Sequence, residues 1–388
     1  MQIADRINRL GTETSFVVLA RARELEAQGK DIIHLEIGEP DFDTAPNIIA
    51  AAKKALDAGF THYGPAAGLP QFRKTIAEVE GARRGLEFKP DMVVVTPGAK
   101  PIMYYAIMAI VNPGDEVIYP NPGFPIYESA IELAGGTPIR LPLTEATGFA
   151  FSIDDLRSRI TPKTKMLVLN SPQNPTGGIL TQDDLKQIAE LAVKHDLWVL
   201  ADEIYCRIVY DGFKNYTIAS YPGMMERTII LDGFSKTYAM TGWRLGYGIM
   251  PKALAEVVAK LQTNVASCTA SFIQMAGIEA LTGPQDWVDN VVEELHRRRD
   301  LIVDGMNSIP GFSCHKPLGA FYVFPNVTGT GIECRTLANR LLNEAGVACL
   351  SGAMFGEYGE GYIRFSYANS MENIEKAVER ILKWMSVQ

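Results

Sequence analysis

Five short apolar runs constrain this chain more than any other feature: Met92-Val-Val-Val95, Glu116–Tyr119, Met166-Leu-Val-Leu169, Leu197-Trp-Val-Leu-Ala201 and Thr228-Ile-Ile-Leu231. Each is too short for a stable helix and aliphatic enough to sit in a sheet covered on both faces. Helical patterns stand between them. One runs from about Pro46 to Ala58, one opens with Pro101, and one follows Thr181 with Leu185, Ile188, Ala189 and Ala192 at helical spacing. Strands alternating with helices from about residue 46 to 250 predict one mostly parallel, doubly wound α/β sheet. The remainder reads as a second, smaller α/β unit. It has a helix over 286–306, strands over 321–324, 347–350 and 362–366, a helix over 336–344 and a closing helix. Ahead of the sheet the pattern predicts a helix over 14–28 ended by Gly29, then a strand over 31–37 leading into the turn at Gly38-Glu-Pro.

At 388 residues the chain is long enough for two domains. Hydrophobic content of 47% with 21% charged residues suits a globular protein. The net charge of -8 argues against nucleic acid as the main partner. The five cysteines are odd in number and lack C-x-x-C spacing, which predicts a reducing compartment and no zinc site. No apolar signal segment opens the chain, and the longest apolar run, around Met103 to Val111, is too short to span a bilayer. A cytoplasmic location without membrane insertion is expected.

Chemistry collects where the apolar runs end, which is where ligands bind in open α/β sheets. Lys236 follows Thr228-Ile-Ile-Leu231 inside an uncharged stretch that closes with Arg244. In apolar surroundings its ammonium pKa falls and the amine becomes a nucleophile or Schiff-base former; otherwise it caps a strand. Arg244 suits a phosphate, or else a surface ion pair. Thr96-Pro-Gly-Ala-Lys100 leads into a helix, so Gly98, Ala99 and Lys100 offer N–H groups to an anion unless this is an ordinary turn. Phe124 is core or a stacking surface for a flat ring. Asp202 and Tyr205 follow a buried run; a carboxylate there either caps a helix or needs a cationic partner. Arg364 alternates with Ile363 and Phe365 and so faces away from them, where solvation is the commoner fate of an arginine.

These residues, in this order, resemble the class I and II aminotransferases of fold type I. The specific pieces are Ser-Pro-Gln-Asn-Pro-Thr-Gly at 171–177, Asp202-x-x-Tyr205, Ser-Lys-Thr-Tyr-Ala-Met-Thr-Gly-Trp-Arg at 235–244 and Tyr-Ile-Arg-Phe-Ser at 362–366. The resemblance covers essentially the whole chain. It implies pyridoxal 5'-phosphate, with Lys236 carrying the cofactor and moving the proton between the substrate α-carbon and cofactor C4'. By the same resemblance Asp202 pairs with the pyridinium nitrogen, and Tyr205 and Asn174 donate to the phenolic oxygen. Phe124 stacks on the ring. Gly98, Ala99, Lys100, Ser235 and Arg244 hold the phosphate, which Tyr63 reaches from the neighbouring subunit of a homodimer with a shared active site. Arg364, assisted by the Gly38 loop, grips the substrate α-carboxylate. Asn174-Pro175 is expected to be cis. The implied division is an N-terminal arm contributing to the small domain over 1–45, a large cofactor domain over 46–285 and a small C-terminal domain over 286–388.

The chain departs from the family pattern twice. Gly233 stands where a phosphate-binding serine is common, leaving Ser235 as the candidate replacement. No arginine occurs between Arg244 and Arg297, the stretch that supplies a second arginine in the dicarboxylate-specific branch. Lys100 either binds a distal carboxylate instead or simply serves the phosphate. The expected reaction is a ping-pong amino exchange between an L-amino acid and a 2-oxo acid such as pyruvate or 2-oxoglutarate. Alanine, neutral or aromatic donors are favoured over strict aspartate specificity. A C–S lyase on the same scaffold is the alternative.

Overall fold

The computed structural model describes residues 3–387. Its central sheet has seven strands, β1 Val93–Thr96, β2 Glu116–Asn121, β3 Thr137–Pro142, β4 Thr164–Asn170, β5 Trp198–Asp202, β6 Thr228–Gly233 and β7 Gly246–Ile249, in the order β1-β7-β6-β5-β4-β2-β3. All pairings are parallel except the two made by β7. The expected mostly parallel, doubly wound α/β sheet is therefore present. Strands β3 and β7 were not expected. β3 opens with exposed Thr137 and contains two prolines, Pro138 and Pro142, and β7 is half glycine, so neither carries the apolar signature of a two-face-covered strand.

The five expected strands are buried through nearly their whole length because helices cover both faces. The helix Gln182–Lys194 begins as predicted: the Thr181 hydroxyl accepts from Asp184 N–H while the Asp184 carboxylate accepts from Thr181 N–H. Leu185, Ile188, Ala189 and Ala192 face inward. The helix Pro70–Arg84, which the hydrophobic reading passed over, is stopped by Gly85 at φ 66°.

The N-terminal arm joins the C-terminal part. Helix Ser15–Ala27 matches its expected span, but the predicted strand over 31–37 shortens to Ile33–His34, paired with Val347–Ala348. The chain then leaves the sheet to carry Gly38 towards the large sheet. The predicted strand over 347–350 splits at Cys349: Val347–Ala348 serves the arm, and Leu350–Ser351 joins Ile363–Ser366 and Tyr322–Val323. The helix expected over 336–344 starts earlier, at Cys334, and finishes in a π-helical turn, Leu341–Ala345. One hydrophobic core unites Ile33 and Leu35 with residues between 291 and 384, and with Tyr205, Ile208 and Tyr210 from the segment that follows β5.

Candidate active site

Strand register brings the polar residues to one rim. Asn170 at the end of β4 lies beside Asp202 at the end of β5, and Asp202 lies beside Leu231 of β6. Lys236 follows the end of β6 by three residues. The rim opens onto a cavity of about 440 Å³, within the range of small-molecule sites. Every residue singled out in the sequence lines it except Gly98 and Tyr63. Gly98 lies immediately behind the cavity wall, at φ 85°, where a Cβ would fall 2.2 Å from Arg244 Nη2. The positive φ favours glycine there, and a Cβ would push the Arg244 guanidinium aside. Tyr63 is 90% exposed, away from this cavity.

Lys236 is partly covered, and its Nζ donates to the Gly38 carbonyl at 2.5 Å. Loss of hydration pulls the ammonium down to about 8 against the opposing pull of Glu13 and Glu39, with the Arg364 and Arg244 charges adding to the fall. The Asp202 carboxylate is buried, accepts from Tyr127 Oη at 2.6 Å and from Ile204 N–H at 3.2 Å, and makes no ion pair among the described residues. Burial outweighs those two bonds and pushes its pKa up to about 6. Tyr205 exchanges a hydroxyl hydrogen bond with Tyr322 at 2.8 Å.

Arg364 is not solvated, contrary to the commoner fate of a strand arginine. It is 4% exposed, wedged between the rings of Tyr322 and Phe355 with its guanidinium carbon 4.4 and 4.9 Å from their centroids. Nη1 donates to Asn174 Oδ1 at 3.0 Å and Nη2 to the Glu36 carbonyl at 2.5 Å, while the buried Nε has no partner. Asn174 is itself fixed: its N–H donates to Asn170 Oδ1 at 2.9 Å, and the bond to Pro175 is cis as expected. Asn121-Pro122 and Ser171-Pro172 are also cis.

At the opposite end of the cavity the helix Lys100–Ile110 presents its N-terminus, with Ala99 as N-cap. Arg244, at φ 56°, lies against Gly98, and Ser235 lines the same end. Gly233 has a packing reason: a Cβ there would stand 3.1 Å from Gly246 Cα and 3.4 Å from Ala99 Cβ. Lys100 Nζ pairs with Glu13 at 2.7 Å and sits 5.3 Å from the Phe124 ring centroid. Phe124 packs edge-on to Tyr127.

The sequence reading missed Tyr127, Tyr322, Glu36 and Glu13. Tyr127 lies three residues past Phe124, and its helical spacing from that ring was the available signal. The other three have no local signal, because their partners are distant in the chain.

The sequence profile described as Aminotransferase class I and II matches residues 30–381. The chain belongs to this family. This aminotransferase is 42% identical over 386 residues to the aspartate aminotransferase of Pyrococcus abyssi, covering 99% of this chain and 98% of that one. It is 41% identical over 386 residues to the aromatic-amino-acid aminotransferase 2 of Thermococcus litoralis, with 99% and 98% covered. Its fold superposes on the alanine aminotransferase of Pyrococcus furiosus with a TM-score of 0.94, at 33% identity and over 100% of both chains. The C–S lyase alternative is not favoured by these relatives.

Aminotransferases of this family use pyridoxal 5'-phosphate, and the residues present fit it. A buried carboxylate without a cation, an amine with a lowered pKa, a glycine cradle that a Cβ would fill and a buried arginine with an unpartnered Nε are the groups that such a cofactor and an amino acid require. No helix among the described residues is long and apolar enough to cross a membrane.

Proposed function

We propose that transamination by this enzyme runs in the cavity at the rim of β4, β5 and β6, with Lys236 as the residue that carries the cofactor and moves the proton. The observation that carries this reading is the Lys236 amine, poised near neutrality by burial and lying in the same cavity as an unpaired carboxylate and a buried arginine. When bound, pyridoxal phosphate supplies the electron sink for bond breaking at the substrate α-carbon. Asp202, whose carboxylate is held by the Tyr127 hydroxyl, would pair with the ring nitrogen and keep it protonated. Tyr205 and Asn174 donate to the phenolic oxygen, and Phe124 offers a flat apolar face. Gly98, Ala99, Ser235 and Arg244, with the backbone N–H of Lys100, receive the phosphate at the helix N-terminus, which leaves Lys100 Nζ to its pairing with Glu13. Arg364 fixes the substrate α-carboxylate with the Gly38 loop, and its remaining hydrogen-bonding capacity is consistent with that task. With the cofactor bound, Lys236 Nζ would accept the proton from the substrate α-carbon and deliver it to cofactor C4'.

The same reading includes a homodimer. It is supported by Tyr63, which is exposed outside its own cavity, and by exposed Phe16, Val17 and Val265, apolar surface that a second copy would cover. It also includes the division into an arm over 1–45, a cofactor domain over 46–285 and a small domain over 286–388, supported by the core joining Ile33 and Leu35 to the C-terminal part. A cytoplasmic location is supported by five free cysteines. The substrates are an L-amino acid, alanine or a neutral to aromatic donor, and a 2-oxo acid. Borohydride reduction of the loaded protein followed by peptide mass mapping tests the central residue: the cofactor mass is expected on Lys236, and its appearance on another lysine overturns the assignment.

A further inference from the structure

The ion pair between Glu13 and Lys100 lies inside the substrate cavity, where it has no evident structural task. Both residues line the cavity, and their side chains remain 28% and 41% exposed, so the pair does not anchor a core. The Glu13 carboxylate is held from two sides: Lys100 Nζ donates to Oε2 at 2.7 Å and Ser15 Oγ donates to Oε1 at 3.4 Å. It lines the same cavity as Lys236, Arg364 and Tyr322, the cavity in which an amino acid gripped by Arg364 would lie. The surrounding wall is apolar, made by Phe16, Ile37, Met103 and Phe124. Of the cations lining the cavity, Lys236 donates to the Gly38 carbonyl, Arg244 to the Thr241 carbonyl and Arg364 to Asn174 and the Glu36 carbonyl, whereas Lys100 is paired with the Glu13 carboxylate.

We infer that Glu13 sets donor specificity by occupying Lys100, so that the cavity selects amino acids with uncharged side chains over aspartate and glutamate. A distal carboxylate entering here meets a like charge and must displace Glu13 from Lys100, and like charges a few ångströms apart repel appreciably at a protein surface. A neutral or aromatic side chain leaves the pair intact and contacts the apolar wall. This inference rests on the reading of Arg364 as the α-carboxylate site.

The test compares the holoenzyme with its Glu13→Gln variant, which keeps the shape and the acceptor for Ser15 but removes the charge. Two readouts are taken: the ratio of kcat/KM for aspartate to kcat/KM for phenylalanine, and calorimetric binding of maleate, a dicarboxylate that cannot react. The variant is expected to raise the aspartate-to-phenylalanine ratio and to tighten maleate binding, each by about tenfold, the change produced by about 1.4 kcal/mol. An unchanged or lower ratio with unchanged maleate affinity overturns the inference. Arg364→Ala, measured alongside, separates the two claims: if it leaves phenylalanine turnover intact, the reading of the site fails; if it abolishes turnover while Glu13→Gln moves neither readout, the role of Glu13 alone fails.

Discussion

Asp202 and Glu203 are adjacent in the chain and belong to electrostatically different regions. Glu203 faces a buried network in which charges answer one another. Its carboxylate accepts from Arg84 at 2.7 and 3.0 Å, Arg84 and Arg83 both pair with Glu80, and Asp232 accepts from Arg83 at 3.1 Å and from Tyr247 Oη at 3.2 Å. Asp202 faces the cavity, where the partners are neutral and charges are left over. The first region spends its charges on holding β6 and the helix Pro70–Arg84 in place. The second leaves Asp202, Lys236 and Arg364 incompletely answered, at a cost in stability, and in the proposed function a cofactor and a substrate complete them.

The comparison predicts opposite phenotypes for two arginines. Arg84→Leu leaves Glu80, Glu203 and Asp232 short of a counter-charge in the interior, and denaturant unfolding is expected to show a loss of about 3–5 kcal/mol. An effect below 1 kcal/mol would mean that the network is not the structural region described. Arg364→Ala is expected to lower kcat/KM by a factor equivalent to about 2–5 kcal/mol, while the apoprotein's unfolding midpoint stays level or rises because a desolvated cation has been removed. Equal destabilisation by both variants would erase the distinction between the regions.

Smaller effects sharpen it. With Asp202 titrating at about 6, cofactor affinity of the apoprotein should fall as pH drops through 6, because the protonated acid no longer offers a negative partner. Fluorescence titration should show this fall in the wild type and a flat, weak response in Asp202→Asn. The smallest effect concerns His34, whose hydrogen bond to the buried Glu36 carboxylate, opposed by partial burial and assisted by Glu26, raises its pKa from 6.5 to about 9. Its folded-state pKa is the higher one, so this contribution is complete below pH 6.5 and disappears as pH rises through 9. The wild-type Tm should therefore fall over that interval more steeply than the Tm of His34→Gln; parallel curves would exclude the contribution.

The strand-end positions were legible because each follows an apolar run that reads as a buried strand, while the roles given to them came from the family resemblance. Lys236, Asp202 and Asn174 belong to this class, and the parallel sheet carries them to one rim. Arg364 was half legible: alternation put it on the face away from Ile363 and Phe365, but its burial depends on Glu36 and Tyr322, brought in from elsewhere in the chain. Tyr322 meets Tyr205 across 117 residues, and Lys100 meets Glu13 across 87. No local pattern encodes such pairings. The closed network was likewise invisible, since Arg83 and Arg84 end a helix where basic residues are ordinary.

The most direct test of the central claim is the visible spectrum of the cofactor-loaded protein on addition of one amino acid without any oxo acid, compared with Lys236→Ala carrying the same cofactor. In the wild type the pyridoxal band should give way to the pyridoxamine form and return on addition of pyruvate or 2-oxoglutarate, whereas the variant, lacking the amine proposed to move the proton, should bind the amino acid and remain unconverted. Conversion of Lys236→Ala at the wild-type rate would contradict the account.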